Sequence, residues 1–216
     1  MPKLSPAYRE DDTENLPPAI REYLDVHFLR ELDNLEVHNP KLVVVFSGGT
    51  ALGKSTLSAR IGTALHAVCL ENDAVKTHLL KFDPQISKDN LNTLTWKYTI
   101  DLYSRLDDIT TNGLIVRDGV IDWYYDRILP IFIQKGYALF IVEFDISKGR
   151  QIELIRARGD TPTTSADRLI TILDDQAIHQ KRFRNLYRPD VILTDESLFD
   201  HEIVIEKLRS RLKNLS

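Results

Sequence analysis

Residues 41–61, KLVVVFSGGTALGKSTLSARI, decide how the rest of the chain is read. Leu42 to Phe46 is an unbroken apolar and β-branched run, the pattern of a strand buried on both faces. Gly48-Gly49-Thr50-Ala51-Leu52-Gly53-Lys54-Ser55 follows at once and satisfies G-x-x-x-x-G-K-[ST], with Thr56 next in line. A helix-forming stretch from Lys54 onward completes the strand, loop and helix context of a phosphate-binding loop. Gly48 and Gly53 let the backbone turn tightly, so that successive N–H groups point inward at phosphate oxygens. The positive end of the following helix adds to that attraction. Lys54 is expected to reach the β- and γ-phosphates of a nucleotide, and Ser55 to hold Mg²⁺ through its hydroxyl.

Working outward, the 216 residues fit one domain with room for a sizeable core. The net charge of −4, with no long basic block, argues against a nucleic-acid backbone as the main partner. Cys69 is the single cysteine, so an internal disulfide is excluded; in the run HAVCL it reads as a buried strand residue. No apolar stretch is long enough to span a bilayer, and the first residues lack the apolar core of a signal peptide. A cytoplasmic protein with no membrane partner is the expectation.

Residues 1–15 are polar and charged and read as a loosely held arm, with one domain from residue 16 to 216. Pro17-Pro18 opens a helix expected to run to about Asn34 or Val37. Strands are predicted at Ala67–Leu70, Leu114–Val116, Ala138–Phe144 and Val191–Leu193. Helices are predicted from about Ala74 to Lys81, over Leu91–Thr111, Trp123–Gln134, Lys148–Arg158, from Ser165 to about Phe183, and over Phe199–Leu215. Strands alternating with helices in this rhythm mean a parallel sheet covered on both faces, an α/β fold in three layers with five strands. Right-handed crossovers put the C-terminal end of every strand on the phosphate-loop side.

That geometry makes polar residues at strand ends informative. Asp73 is read as lying just beyond the second strand and Asp118 just beyond the third. In a phosphoryl-transfer site one such carboxylate holds a Mg²⁺ water and another accepts the proton of an attacking hydroxyl. Asp73 before Ala74-Val75-Lys76 also suits a helix cap, and a cap and a base are not exclusive. Asp118 also suits the turn of an Asp-Gly pair. Glu71 is the reserve for the role of Asp73. Arg156 and Arg158 lead into a loop rich in Thr, Pro and Ser, where arginine can neutralise charge on a transferred group. Each arginine equally suits the cationic end of a helix.

Taken together, Gly48–Thr56, Asp73 with Lys76, Asp118, Arg127, Arg156 and Arg158 make the chain similar to the small P-loop kinases of the AAA_33 and zeta-toxin type, over about Val43 to Asp195. The resemblance implies a nucleotide-kinase-like P-loop NTPase fold with a small helical lid, here about residues 156–188. It also implies transfer of the γ-phosphate of ATP, with Mg²⁺, to a hydroxyl of a small-molecule acceptor such as a nucleotide sugar. Carried over by position, Asp73 is the substrate-side base and Asp118 the acid near metal or substrate. Arg156 and Arg158 are the lid arginines, and Asp195 falls in the loop that borders adenine. Two departures stand out. Arg117 precedes Asp118 where the family keeps an apolar residue, and the Leu91–Thr111 helix carries its own aromatic set of Trp96, Tyr98 and Tyr103. Two other readings share the loop: a regulatory ATPase or switch, and a polynucleotide 5′-kinase. An Asn-Lys-x-Asp stretch for guanine is absent, and the acidic chain advertises no basic channel for an oligonucleotide.

Overall fold

Helix and strand alternate through the chain as the hydrophobic pattern requires. The computed structural model describes residues 16–29, 40–110, 113–160 and 165–215. In chain order these form α1 (Pro18–His27), β1 (Leu42–Ser47), α2 (Lys54–Leu65), β2 (Val68–Glu71), α3 (Asn72–Phe82), α4 (Lys88–Ser104) and α5 (Leu106–Ile109). There follow β3 (Leu114–Val120), α6 (Tyr125–Gln134), β4 (Ala138–Asp145), α7 (Lys148–Arg158), α8 (Ala166–Thr171), α9 (Leu173–Leu186), β5 (Val191–Thr194) and α10 (His201–Leu215). Contacts group the described residues into two compact units: one joins residues 16–29 to 71–110, the other residues 40–70 to 113–215 outside 161–164. The expected arm, residues 1–15, lies outside the described residues.

In the larger unit the strands form one five-stranded parallel sheet in the order β2-β3-β1-β4-β5. β1 is central and all six of its residues are buried, as its unbroken apolar run demands. Strand alternation sorts the core. Leu42, Val44 and Phe46 of β1, Val116 of β3, Val142 and Phe144 of β4 and Leu193 of β5 pack with Leu57 and Ile61 of α2 and Val204 and Leu208 of α10. The connections β3–α6–β4 and β4–α7–α9–β5 step across the sheet in the opposite sense to β1–α2–β2. Right-handed crossovers therefore place their helices on the other face, which gives the three layers.

Three boundaries differ from the sequence reading, each for a local reason. β3 does not stop at Val116 but continues through Arg117, Asp118 and Gly119 to Val120. Its pairing with β1 jumps from Val45↔Arg117 to Phe46↔Val120, so Asp118 and Gly119 form a bulge that polarity alone had suggested was a loop. The helix after residue 165 is broken at Ile172 into α8 and α9. The predicted Leu91–Thr111 helix starts at Lys88 because Ser87 caps it by accepting the Asn90 N–H, and ends at Ser104 before the short α5. The first helix is described to His27; its expected continuation to Asn34 or Val37 lies outside the described residues.

The smaller unit is helical, α1 and α4 each packing near α3. Its polar link is a set of ion pairs between α1 and α4. Arg105 donates to both oxygens of Asp25 at 3.0 Å and, through Nε, to Asp101 at 2.9 Å; Arg21 also pairs with Asp101. The Tyr98 hydroxyl donates to Asp25 at 3.0 Å, and burial together with the Asp25 charge raises its pKa. The ring of Phe28 meets His78 and Tyr98 edge-on. Tyr98→Phe removes one hydrogen bond to a carboxylate and is expected to cost about 1 kcal/mol in urea unfolding. Arg105→Met, which leaves Asp25 and Asp101 each with one remaining partner, is expected to cost about 2 kcal/mol in the same measurement.

Candidate functional site

β1 ends at Ser47, the loop runs from Gly48 to Gly53, and α2 begins at Lys54. Gly48 is required twice over. Its φ is +116°, and a Cβ there would stand 2.7 Å from the carbonyl oxygen of Phe144 and 2.9 Å from that residue's Cβ. The backbone N–H of Gly48 donates to Oδ2 of Asp122 at 2.7 Å. Ala51 also holds a left-handed backbone, with φ of 62°, a conformation non-glycine residues keep only where the surroundings impose it.

The Lys54 ammonium lies inside this loop, only 7% exposed. It donates to the carbonyl oxygens of Gly49 and, at 3.4 Å, Gly48, and sits 5.5 Å from the centre of the Phe144 ring. Burial lowers its pKa from 10.5 to about 8; the charges of Asp122 and then Asp118 pull it back up, and that of Arg158 pushes it down. Asp122 is 1% exposed, and burial raises its pKa against the opposing pull of the Gly48 N–H. An ammonium and two buried carboxylates thus share the mouth of β1 and β3. The ammonium and the carboxylates offset one another's charge.

The opposite wall comes from α7 and α9. Gln151, held by its amide on the Ile146 carbonyl at 2.7 Å, lies directly over Gly49, with Gln176 beside it. Glu143 of β4, level with Ser47 across the sheet and 1% exposed, accepts from Gln180 at 2.9 Å and from Nε of Arg184 at 2.6 Å. Arg184 also pairs with Asp145 at 3.0 Å. On the next face of α9, His179 stacks on Trp123 at 4.2 Å between centroids, and Phe183 and Tyr187 meet Tyr125. Between α7, α9 and the end of β4 is a cavity of about 390 Å³ bordered by Asp145, Lys148, Gln151, Asp174 and Gln180.

Of the residues singled out in the sequence, Gly48, Gly49, Thr50, Ala51, Leu52, Gly53, Lys54, Ser55 and Thr56 form the loop and the first turn of α2. Lys54 is buried there, and Ser55 and Thr56 are exposed. Asp118 lies within β3 rather than beyond it, and is buried. Arg156 and Arg158 are exposed in the last turn of α7, Arg158 near enough to act on Lys54 by its charge. Asp73 belongs to the smaller unit. It does not cap α3, which begins one residue earlier at Asn72; it sits in the first turn, 84% exposed, paired with Lys76 at 3.0 Å. Asp195 follows β5 directly and accepts the N–H of Ser147 at 2.9 Å; the Ser147 hydroxyl, and then that N–H, lower its pKa. Asp122 and Glu143 were missed. Their only signal is an acid set inside an apolar run, Val120-Ile121-Asp122-Trp123 and Ile141-Val142-Glu143-Phe144.

The donor set suits a hard cation and a phosphate. Oγ1 of Thr50 is buried with no hydrogen-bond partner among the described residues, and the buried Ser47 hydroxyl lies beside the Asp122 carboxylate. These are oxygen donors, the type Mg²⁺ takes when it is held by one or two carboxylates and the phosphates of a substrate. The described residues contain no cluster of three or more His, Cys, Asp or Glu of metal-binding form.

No family model matches the chain, and no curated protein matches it. Solved structures do. A protein of the PezAT chromosomal toxin–antitoxin system of Streptococcus pneumoniae superposes with a TM-score of 0.60 at 14% identity, over 93% of this chain and 98% of that one. A candidate kinase of Chloroflexus aurantiacus gives 0.58 at 17% identity, over 84% and 100%. The tunicamycin resistance protein of Deinococcus radiodurans gives 0.52 at 13%, over 79% and 95%. The likeness is one of fold: the five-stranded parallel sheet with its helices is the P-loop kinase architecture.

The depressed pKa of Lys54 fixes the sign of a pH effect. Between about 8 and 10.5 the unfolded chain carries the lysine proton and the folded chain does not, so stability rises with pH across that window. The rise is expected to be about 3 kcal/mol and to be missing in Lys54→Met, as measured by denaturant unfolding at a series of pH values.

Proposed function

We propose that the chain is an ATP-dependent phosphotransferase of the AAA_33 and zeta-toxin type that moves the γ-phosphate to a hydroxyl of a small molecule. The observation that carries this reading is the buried Lys54 ammonium at the start of α2, set between the phosphate-loop carbonyls and the carboxylates of Asp122 and Asp118. A cation in that place binds the β- and γ-phosphates, and the N-terminal end of α2 adds a favourable dipole. Asp122 fixes the shape of the loop through the Gly48 N–H. Ser55 and Asp118 would hold Mg²⁺, which would neutralise charge on the phosphates when bound.

In the transfer itself the acceptor oxygen forms its bond to γ-phosphorus as the bond to the ADP oxygen breaks. The acceptor's proton passes to a carboxylate, a role we assign to Asp73 with Glu71 in reserve. Arg156 and Arg158, in the lid of about residues 156–188, neutralise the charge on the transferred group. The tunicamycin resistance protein and the PezAT protein share the fold at low identity, which supports the class of chemistry and leaves the acceptor to experiment.

Incubation with labelled ATP and a metabolite extract tests the reading. Label is expected to move to a small molecule, with little ATP hydrolysis in the absence of an acceptor. Rapid acceptor-independent hydrolysis with no labelled product would mark a regulatory ATPase, and label on an oligonucleotide end a polynucleotide kinase. Lys54→Ala is expected to abolish transfer. Asp73→Asn is expected to lower turnover by about 10²- to 10⁴-fold while nucleotide binding stays near that of the unaltered chain; a collapse of ATP affinity instead would move Asp73 to the metal.

A further inference from the structure

Arg117 is a long, charged side chain that is wholly buried, at 1% exposure, and it lies in a strand. Its guanidinium folds back along β3. Nη1 donates to the carbonyl of Gly119 at 2.9 Å, while Nε is buried with no hydrogen-bond partner among the described residues. No carboxylate pairs with it among those residues. The contrast with Arg184 is instructive: that arginine, 41% exposed, serves the buried Glu143 and also Asp145. Arg117 presents five N–H donors and a permanent charge; among the described residues a neutral carbonyl answers Nη1 and nothing answers Nε.

Such a group is expensive. A charge taken out of water costs several kcal/mol unless a counter-charge repays it. An apolar residue of similar volume at this register position would avoid the cost, and the apolar neighbours Val116 and Val45 show that the strand accepts one. A role in holding the bulge does not account for the charge, because the φ of +126° at Gly119 already belongs to glycine. A bidentate anion is the ligand whose geometry and charge match a guanidinium.

The position says which anion. Arg117 is adjacent to Asp118 and pairs with Val45, two residues before Ser47, so it stands at the same end of the sheet as the phosphate loop. The donor's phosphates are already served by Lys54 and the loop. We propose that Arg117 recognises an anionic group, a phosphate or a carboxylate, on the acceptor, so that the acceptor class is a negatively charged hydroxylated molecule. This rests on the kinase reading above for the word acceptor; the anion site itself does not.

Inorganic phosphate and, separately, acetate are titrated calorimetrically into Lys54→Met, which weakens the phosphate loop's own affinity, and into the same protein carrying Arg117→Met or Arg117→Lys. Binding of the non-hydrolysable analogue AMP-PNP with Mg²⁺ to the unaltered chain is measured in parallel and reports on the kinase reading alone. Saturable anion binding is expected in Lys54→Met, about ten- to a hundredfold weaker with Arg117→Met and intermediate with Arg117→Lys, which keeps the charge and loses the fork. Tighter binding of phosphate marks a phosphorylated acceptor, and tighter binding of acetate a carboxylate. The melting temperature of the Arg117→Met protein is expected to be unchanged or higher without anion. Anion affinity equal in all three proteins, or no saturable binding in Lys54→Met, would overturn the proposal. So would a lower melting temperature with unchanged affinity, which would give Arg117 to the bulge. Should Arg117→Met fail to fold, the Arg117→Lys comparison decides by itself. Loss of AMP-PNP binding alone would remove the kinase reading and leave the anion site standing.

Discussion

The architecture turns on keeping one ammonium group charged while it is almost out of water. Lys54 loses most of its hydration where α2 starts, and the loss is met by two loop carbonyls, an aromatic face and the carboxylates of Asp122 and Asp118. Each of those groups constrains something else. Asp122 must leave β3 at the right point to accept the Gly48 N–H, and Gly48 must lack a side chain because Phe144 closes in on it. Asp122 in turn is buried, which raises its pKa, and the charge of the lysine pulls that pKa back down. Loop shape and charge balance are therefore one problem with one solution.

α9 carries that solution to the other side of the site. One of its faces presents Gln176, Gln180 and Arg184 to the phosphate loop and the end of β4; another presents His179, Phe183 and Tyr187 to the segment that follows Asp122. Residues at spacings of three and four on a single helix thus touch both Glu143 and the turn after β3. The break at Ile172 separates this anchored helix from α8 and from the exposed arginines at the end of α7. Arg158, which reaches the lysine by its charge, lies at the exposed end of the helix whose Gln151 backs the loop.

What could be read in the sequence divides along the same physical lines. The loop, β1 and the order of strands and helices were legible because they depend on local chemistry: glycines at a fixed spacing, a run of β-branched residues, a regular alternation of periods. Asp122 and Glu143 were not, because their partners lie 74 and 41 residues away in the chain, and an acid in an apolar run carries no label for what will meet it. Asp118 was placed past its strand since Arg-Asp-Gly reads as a turn, yet neighbouring strands overrode that preference. The grouping of α1 with α3, α4 and α5 was likewise invisible. It joins segments separated by the first strand, the phosphate loop and α2, and no local pattern announces the Arg105–Asp25 link between them.

The bulge in β3 has a consequence of a different kind, arithmetical rather than energetic. From Val45 to Phe46 the partner strand advances by one residue while β3 advances from Arg117 to Val120, an excess of two. An even excess leaves the alternation of inward and outward side chains in phase on either side of the irregularity. Val120 therefore keeps the face that its partner Phe46 demands, and Ile121 and Asp122 follow at once, both buried, with the acid on the Gly48 N–H. Taking away a single residue at 118 or 119 would turn Val120 to the other face, whereas taking away both would preserve it. The pleat thus accepts a change of length at this point only in steps of two.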